Sequence, residues 1–260
     1  MNEHLNAYYN VYDEDGRLLS RHGSVEYLTT TRYIHKYVQA GARVLEVGAG
    51  TGRYSLALAR EGYAVSALEL IESNVERFRA KLTEDDAVDL RQGDARDLSG
   101  FADDSFDAVL VLGPMYHLYT REDKLRVLRE AKRVLQPDGF LFVAYCMNEG
   151  TIISWGFAGD GRNIVDALKK NMLTEDFHCI SKPEDIFEMV RLEDIDGYNR
   201  EAGLRRAEIV ATDLFTQYLR AQVDSWSDEV FDLYLKYHFT VCARPELLGV
   251  THHALDILQK

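Results

Sequence analysis

Cysteine is scarce in this chain of 260 residues, which contains only Cys146, Cys179 and Cys242. An odd number without CxxC spacing argues against a disulfide framework and a thiolate zinc site, and it predicts a reducing compartment, the cytoplasm. The start, Met1 to His4, lacks the basic and apolar regions of a signal peptide, which supports the same expectation. The eight histidines contain no His-x-x-x-His pair or His/Asp cluster, so no metal site is predicted.

A surplus of positive charge is also missing. The chain has 30 Lys and Arg against 43 Asp and Glu, a formal net charge of −13, and no run of basic residues. Nucleic-acid binding depends on clustered Lys and Arg, so a nucleic-acid partner is not expected. No apolar run reaches membrane-spanning length, so no membrane partner is expected either. The length allows one large domain, or one domain with a lid.

One glycine-rich stretch stands out, running from Val44 to Gly52 as Val-Leu-Glu-Val-Gly-Ala-Gly-Thr-Gly. Its first four residues predict a buried strand, because three are apolar and two of those are β-branched. Glycine tolerates positive φ and has no Cβ, so the turn that follows can be tight and a ligand can touch its backbone. Arg53 to Glu61 predicts a helix, and strand, turn and helix N-terminus together form a cradle for an anion or a nucleotide.

The spacing of the glycines separates two kinds of nucleotide site. A Gly-x-Gly-x-x-Gly dinucleotide fingerprint that starts at Gly48 requires a third glycine where the chain has Arg53. The pattern Glu-x-Gly-x-Gly-x-Gly instead resembles motif I of the class I S-adenosylmethionine (SAM) dependent methyltransferases. That resemblance implies SAM as cofactor and assigns five residues to its site. They are Glu46, Gly48, Ala49, Gly50 and Gly52.

Hydrophobic periodicity downstream predicts a regular alternation of strands and helices. Strands are expected at 64–70, 88–92, 106–112, 140–147 and 204–211. Such alternation predicts an α/β fold, a Rossmann-like, doubly wound, mostly parallel sheet of seven strands with helices on both faces. By resemblance to the methyltransferases, the last strand, His252 to Leu258, is expected to run antiparallel.

The N-terminal 1–40 segment is expected to lie outside this core, which is assigned to 41–212 and 245–260. Ser24 is predicted to cap a helix that runs to about Gln39. The segment before it reads as a polar loop, and in the small-molecule methyltransferases that the chain resembles this region folds over the ligand as a lid. The other interpretation is a helix that only packs on the sheet.

Residues 213–244 are predicted to form two aromatic-rich helices around Trp226, inserted before the last strand. They are interpreted equally as a cap over the substrate, or as a cover for one sheet face or a homodimer contact.

Ligands on open parallel sheets bind beyond the C-terminal ends of the strands, and that rule selects Glu69 and Asp94. A carboxylate at Glu69 can accept both hydroxyl hydrogens of a ribose, with Leu70 beside the adenine. The resemblance implies that Asp94 contacts the adenine amino group while the backbone of Ala95 reads a ring nitrogen. The plainer alternatives are a surface carboxylate for Glu69 and an Asx turn for Asp94.

The segment from Leu112 to Leu118 reads Leu-Gly-Pro-Met-Tyr-His-Leu. Methyltransferases of base amino groups often carry Asp/Asn-Pro-Pro-Tyr/Phe here, and Gly113 and Met115 depart from that pattern. The segment more closely resembles the bacterial ubiquinone/menaquinone-like group, which implies a small-molecule acceptor.

Two residues of this segment are assigned to the acceptor, while Gly113 is assigned to the cofactor site. His117 is predicted to face the acceptor as a general base, since its pKa of about 6.5 leaves it basic near neutral pH. Tyr116, or Tyr9 and Arg21 from the lid, is expected to orient the acceptor. The alternative is that His117 only bonds a loop carbonyl. Two other functions stay open, a non-catalytic SAM- or nucleotide-binding regulator and an NAD-linked dehydrogenase.

Overall fold

Parallel strand pairing dominates the computed structural model, which describes residues 3–11, 16, 19–158 and 161–260. One sheet holds eight strands in the order β3-β2-β1-β4-β5-β8-β7, with β6 paired to the end of β5. The strands are β1 (Arg43–Val47), β2 (Ala64–Glu69), β3 (Val88–Gln92), β4 (Phe106–Val111), β5 (Leu135–Met147), β6 (Met189–Val190), β7 (Arg205–Ala211) and β8 (His253–Gln259).

The pairing confirms the predicted α/β class. Strands β1 to β5 pair in parallel, and β8 runs antiparallel between β5 and β7. The predicted count of seven strands was one short, because Met189–Val190 pairs with Cys146 and Met147. The predicted start of the fifth strand was also wrong. Leu135 already pairs with Phe106, so β5 begins at Leu135 rather than at Phe140, and the pairing with β4 resumes at Phe140 after a register shift.

Helices cover both faces of the sheet. They are α1 (Glu3–Val11), α2 (Arg21–Tyr37), α3 (Arg53–Arg60), α4 (Glu72–Lys81), α5 (Arg121–Val134), α6 (Asn148–Thr151), α7 (Arg162–Lys169), α8 (Leu192–Ala202), α9 (Arg220–Ser225) and α10 (Asp228–Val241). Short 3₁₀ turns form at Pro114–His117, Pro183–Asp185 and Pro245–Val250, and Ile152–Phe157 is π-helical. Within the described residues no helix has the length and apolar character that crossing a membrane requires.

Two buried clusters sandwich the sheet. Along β4, Val109 and Val111 pack into the cluster on the α5 and α8 face, while Ala108 and Leu110 pack into the cluster on the α2 and α3 face. This alternation follows from the two-residue period of a strand. Both faces of a parallel strand are buried, so β4 is apolar at nearly every position.

The N-terminal region differs from its predicted form. The predicted polar loop begins as a helix, α1, which includes Tyr8 and Tyr9. The next helix starts earlier than expected, because Ser20 rather than Ser24 accepts a hydrogen bond from the Gly23 N–H at 3.1 Å. Residues 12–15, 17 and 18 of the predicted lid lie outside the described residues.

The two helices predicted around Trp226 are confirmed as α9 and α10. Both pack against α2. Thr29 bonds the Nε2 of buried His238 at 2.8 Å, and the Nδ1 of His22 bonds Asp224 at 2.8 Å. These contacts join α9 and α10 to the helix that covers one face of the sheet.

We expect Gly52→Ala to destabilise the protein more than Gly62→Ala. Both glycines have positive φ, +85° and +93°, so an alanine is strained at either position. A Cβ at Gly52 would lie 2.3 Å from the Phe78 ring, whereas a Cβ at Gly62 would have open space. Gly62→Ala should cost about 1–2 kcal/mol and Gly52→Ala about 1–3 kcal/mol more. Urea unfolding measures both, and equal losses would contradict this account of the turn.

Candidate functional site

A cavity of about 900 Å³ opens at the C-terminal edge of the parallel strands. That volume lies near the top of the range of roughly 300–1,000 Å³ typical of small-molecule sites. Its walls come from the loops after β1 to β4 and from helices α1 and α2. All residues assigned from the glycine motif, the strand ends and the segment 112–118 line it, except Gly52. They are Glu46, Gly48, Ala49, Gly50, Glu69, Leu70, Asp94, Ala95, Gly113, Tyr116 and His117.

Glu69 ties the glycine loop to the end of β2. Its Oε2 accepts a hydrogen bond from the Gly50 N–H at 2.8 Å, and its Oε1 accepts from the Ile71 N–H at 2.9 Å and from Asn74 at 3.4 Å. Burial raises the pKa of Glu69, and these hydrogen bonds oppose the rise. The carboxylate still lines the cavity. It is therefore both an anchor of the loop and a polar group available to a ligand.

The three glycines of the loop have separate reasons to be glycine. A Cβ at Gly48 would lie 2.6 Å from Cδ of Pro114, so this position allows the loop to pack on the segment after β4. Gly50 has φ of +55° and nothing within 4 Å of an added Cβ, so its backbone faces open space. Gly52 packs beneath Phe78 of α4 instead of lining the cavity.

Glu46 is almost fully buried in β1, and the Ser55 hydroxyl donates a hydrogen bond to it. Burial raises the pKa of Glu46 to about 8. The side chain is therefore mostly protonated at neutral pH, and the cost of a buried charge is avoided without an ion pair.

Asp94 forms an ion pair with a residue that the sequence reasoning overlooked. Arg96 approaches its two carboxylate oxygens at 2.6 and 3.0 Å, and the Arg96 N–H donates to Oδ1 at 2.9 Å in an Asx turn. The hydrogen bond from Arg96 is the main cause that lowers the pKa of Asp94. Arg96 also contacts Asp123 at 3.2 Å. The Asx-turn alternative is thus present in the structure, at a residue that also lines the cavity.

Both ring nitrogens of His117 form hydrogen bonds within the protein. Its Nδ1 lies 2.8 Å from the carbonyl of Ile186, and since a carbonyl can only accept, Nδ1 carries the proton. Nε2 then accepts from the hydroxyl of Tyr9, 2.9 Å away on α1. Burial lowers the pKa of His117 to about 4, so the ring is neutral. The loop-carbonyl alternative is what the structure shows. A role as general base would require Tyr9 to release Nε2.

The two lid residues proposed to orient the acceptor lie in different places. Tyr9 lines the cavity, and its ring meets the His117 ring edge-on at 5.6 Å. Arg21 does not line the cavity. It forms an ion pair with Asp228 at 2.6 Å and lies over the Phe231 ring, so it fastens α2 to α10.

Arg53 is a cavity residue that the sequence analysis used only as a departure from the dinucleotide pattern. It is the first residue of α3, and its guanidinium lies 4.3 Å from the centre of the Tyr27 ring. Its Nε is buried and has no hydrogen-bond acceptor among the described residues. A basic residue at the helix N-terminus, directly after a glycine turn, was the signal that could have marked it.

Helix α2 contributes Glu26 and Thr30 to the cavity, and neither was predicted. Glu26 lies beside His253 and Asp213, and the three side chains have oxygen or nitrogen atoms within 4.8 Å of one another. The prediction of no metal site relied on spacing along the sequence. It could not detect a cluster in which Glu26 lies about two hundred residues before Asp213 and His253 in the chain.

Comparison with known proteins agrees with this geometry. A methyltransferase domain family matches residues 45–143. The chain is 37% identical over 134 residues to a demethylmenaquinone methyltransferase of Clavibacter sepedonicus, covering 51% of this chain and 52% of that protein. It is 30% identical over 175 residues to a ubiquinone biosynthesis O-methyltransferase of Xanthomonas campestris pv. campestris, covering 65% and 71%. The chain thus spans about half the length of the first relative and over two thirds of the second.

A solved structure supports the fold. A SAM-dependent methyltransferase from Thermotoga maritima, described as a possible histamine N-methyltransferase, superposes with a TM-score of 0.61 and covers 100% of both chains at 20% identity. Three observations lead to one assignment. They are the sheet order, the glycine loop after β1, and the 30% sequence identity that covers 71% of the ubiquinone biosynthesis O-methyltransferase. This chain belongs to the class I SAM-dependent methyltransferases.

Proposed function

We propose that this protein transfers the methyl group of SAM to a small-molecule acceptor. The observation that carries the proposal is one continuous cavity. It extends from the glycine loop and Glu69 to the Tyr116–His117 turn and to Glu26 on α2. A volume of about 900 Å³ leaves room for a small acceptor beside the cofactor. The relatives' names place their acceptors in quinone biosynthesis, which supports a small acceptor here.

The residues of the glycine-loop half of the cavity match the polar groups of SAM. Glu69 would accept the ribose hydroxyls, and the open backbone at Gly50 would lie under the methionine part. The loop at Asp94 and Ala95, together with Leu70, would hold the adenine. When bound, SAM supplies an activated methyl group on a sulfonium, so the protein's own work is chiefly positioning.

Arg53 fits the carboxylate of the amino-acid end of SAM. Arg53 lines the cavity, and its buried Nε has no hydrogen-bond acceptor among the described residues. A carboxylate would satisfy it through charge-assisted hydrogen bonds, to which the N-terminus of α3 adds.

Helix α1 closes the cavity from above. Tyr9 bonds His117, while Arg77 of α4 donates to the backbone carbonyls of Tyr9 and Asn10 at 3.2 and 3.0 Å. These contacts tie α1 to elements on two sides of the cavity. We infer that α1 excludes water from the acceptor during transfer, the function expected of the lid.

The first test uses calorimetry to measure which nucleotide ligands the protein binds and how Arg53 contributes to their affinity. The protein should bind SAM and S-adenosylhomocysteine (SAH) and should not bind NAD(H). Arg53→Gln should weaken SAH by about 10–100-fold, the value of one charge-assisted hydrogen bond. The same change should leave the affinity for 5′-methylthioadenosine intact, since that nucleoside lacks the carboxylate. Equal losses of affinity for SAH and for 5′-methylthioadenosine would show that Arg53 shapes the site without contacting the carboxylate. NAD binding without SAM binding would overturn the proposed function.

The second test separates anchoring from ligand contact. Glu69→Ala should lower both SAH affinity and the melting temperature of the free protein, because Gly50 and Ile71 lose their acceptor. Asp94→Ala should lower SAH affinity with little effect on melting, since Arg96 keeps Asp123. Asp89→Ala is the matched control, because Asp89 pairs with Arg91 two residues on, at 2.7 Å, outside the cavity. If Asp94→Ala binds SAH as tightly as the control, Asp94 is not a ligand residue.

A third test uses pH and Glu46→Gln. The folded pKa of Glu46, about 8, lies above its unfolded value, so the folded state keeps a proton that the unfolded state releases. The stabilisation that this retained proton gives the folded state is therefore complete at low pH, and it is lost as pH rises from about 4.5 to 8. Relative to Glu46→Gln, the wild type should lose on the order of 1–3 kcal/mol of unfolding free energy between pH 5 and 9. Urea unfolding at stepped pH measures it, and a pH-independent difference would contradict the buried, protonated carboxyl.

A further inference from the structure

The loop after β3 is fastened to helix α5 by a stripe of polar side chains. Arg126 donates a hydrogen bond to the carbonyl of Arg96 at 2.7 Å. Glu130 accepts from the Leu98 N–H at 2.9 Å, and Arg133 donates to the Leu98 carbonyl at 2.8 Å. The three α5 residues are spaced four and three apart, so they share one side of the helix. The backbone of this loop is therefore held in place from outside the cavity.

The side chain of Arg96 links two carboxylates at the cavity wall. Its Nη2 lies 2.6 Å from Oδ2 of Asp94, and its Nε lies 3.0 Å from Oδ1 of the same carboxylate. Its Nη1 lies 3.2 Å from Oδ1 of Asp123, in the first turn of α5. Asp94, Arg96 and Asp123 all line the cavity. Arg96 thus meets Asp94 with two N–H groups side by side, an arrangement that fixes the plane of a carboxylate.

Asp94 can only accept hydrogen bonds in this state. The hydrogen bond from Arg96 is the main cause that lowers the pKa of Asp94, so the carboxylate is ionised at neutral pH. Its Oδ1 accepts from both Nε and the backbone N–H of Arg96. Its Oδ2 accepts chiefly from Nη2, and the Nε contact to Oδ2 is longer, at 3.2 Å. Oδ2 therefore keeps a lone pair for a hydrogen-bond donor in the cavity.

We propose that Arg96, held by Asp123, positions Asp94 so that the cavity selects a purine with an amino group at C6 over one with an oxygen there. The proposal rests on the proposed SAM site, in which the loop at Asp94 holds the adenine, and it names the residues that set the choice of base. Arg96 acts through Asp94, so it is a positioning residue.

Adenine and hypoxanthine present opposite groups at C6. The amino group of adenine can donate to the ionised carboxylate in a charge-assisted hydrogen bond. The C6 oxygen of hypoxanthine only accepts, so it would face a lone pair of Asp94 and both acceptors would lose a donor. A site built to bond a donor rejects the analogue that lacks it.

The fixed orientation of Asp94 is what makes this selection strong. Hypoxanthine has an N–H at N1, one ring atom away from C6. A carboxylate that is free to turn can accept that hydrogen instead, and the choice between the bases is then weak. A carboxylate held by two N–H groups of Arg96 cannot follow, because turning would break both bonds.

The experiment compares SAH with S-inosylhomocysteine, which carries hypoxanthine on the same ribose and amino-acid parts. Calorimetry on the full chain should show that the wild type binds SAH about 10–100-fold more tightly, the value of one charge-assisted hydrogen bond. Arg96→Ala should reduce this preference by about tenfold, because Asp94 can then turn towards the hypoxanthine N–H. Asp123→Asn should reduce it by a smaller factor, since Arg96 keeps both bonds to Asp94.

Two further variants separate orientation from charge and from general damage. Arg91→Ala is the matched control, because Arg91 also pairs with an aspartate two residues before it, Asp89, at 2.7 Å, and neither residue lines the cavity. This variant should keep the preference of the wild type. Arg96→Lys keeps the positive charge but has no fork of two N–H groups, so it should keep only part of the preference.

A double-mutant cycle tests whether Arg96 acts through Asp94. The Asp94→Ala protein should bind the two ligands almost equally, and adding Arg96→Ala should change their ratio no further. A further change in the ratio would show that Arg96 contacts the base itself, which overturns its assignment as a positioning residue. If Arg96→Ala fails to fold, Arg96→Lys and Asp123→Asn decide the same question.

The outcomes that overturn this proposal differ from those that overturn the proposed function. A wild type that binds SAH no more tightly than S-inosylhomocysteine refutes selection of the base and leaves the SAM site standing. Equal losses of both affinities in Arg96→Ala, or the full preference in Arg96→Lys, refute the positioning role of Arg96. An unchanged preference in Asp123→Asn refutes the role of Asp123. Failure of the wild type to bind either ligand overturns the proposed function as well.

Discussion

The hydrogen bond from the Gly50 N–H to the Glu69 carboxylate is the contact on which the site depends. It joins the loop after β1 to the end of the neighbouring strand β2. The same carboxylate holds the Ile71 N–H at the start of the next helix. One buried side chain thus fixes the positions of three consecutive parts of the cavity wall. Its burial makes each of these hydrogen bonds stronger than the same bond in water.

A second constraint connects the glycine loop to the segment after β4. Gly48 lies against Pro114, and that close approach requires the absence of a Cβ. Pro114 begins the turn that carries Tyr116 and His117 into the cavity. His117 in turn holds Tyr9 of α1. The cofactor loop, the acceptor turn and the N-terminal helix are therefore connected through direct packing and hydrogen bonds.

Burial or an ion pair removes the net charge of several ionisable side chains that line the cavity. Glu46 and His117 avoid charge by burial, and Asp94 is paired with Arg96. Arg53 also lines the cavity, and its buried Nε has no hydrogen-bond acceptor among the described residues. It is the first residue of α3, which lies with α2 on the same face of the sheet. Helices α9 and α10 pack against α2, which contributes to the cavity wall, through contacts such as His238 with Thr29.

Local signals in the sequence were sufficient for the fold. The strand–helix alternation and the glycine turn predicted the α/β class and a mostly parallel sheet, because strand period, helix period and glycine conformation are properties of neighbouring residues. Ends of elements were less accurate. Ser20 and Ser24 are both plausible caps by type, and only the packing of α2 selects between them.

The same locality explains which site residues were found. Glu69, Asp94 and the glycines lie at strand ends that are recognisable in sequence, and the structure brings them to one cavity. The partners of His117, namely Ile186 and Tyr9, and the cluster of Glu26, His253 and Asp213, join residues far apart in the chain. Nothing along the sequence relates such residues. Their distances, burial and charge states arise only when the sheet and its covering helices are packed, so the tertiary structure alone decided them.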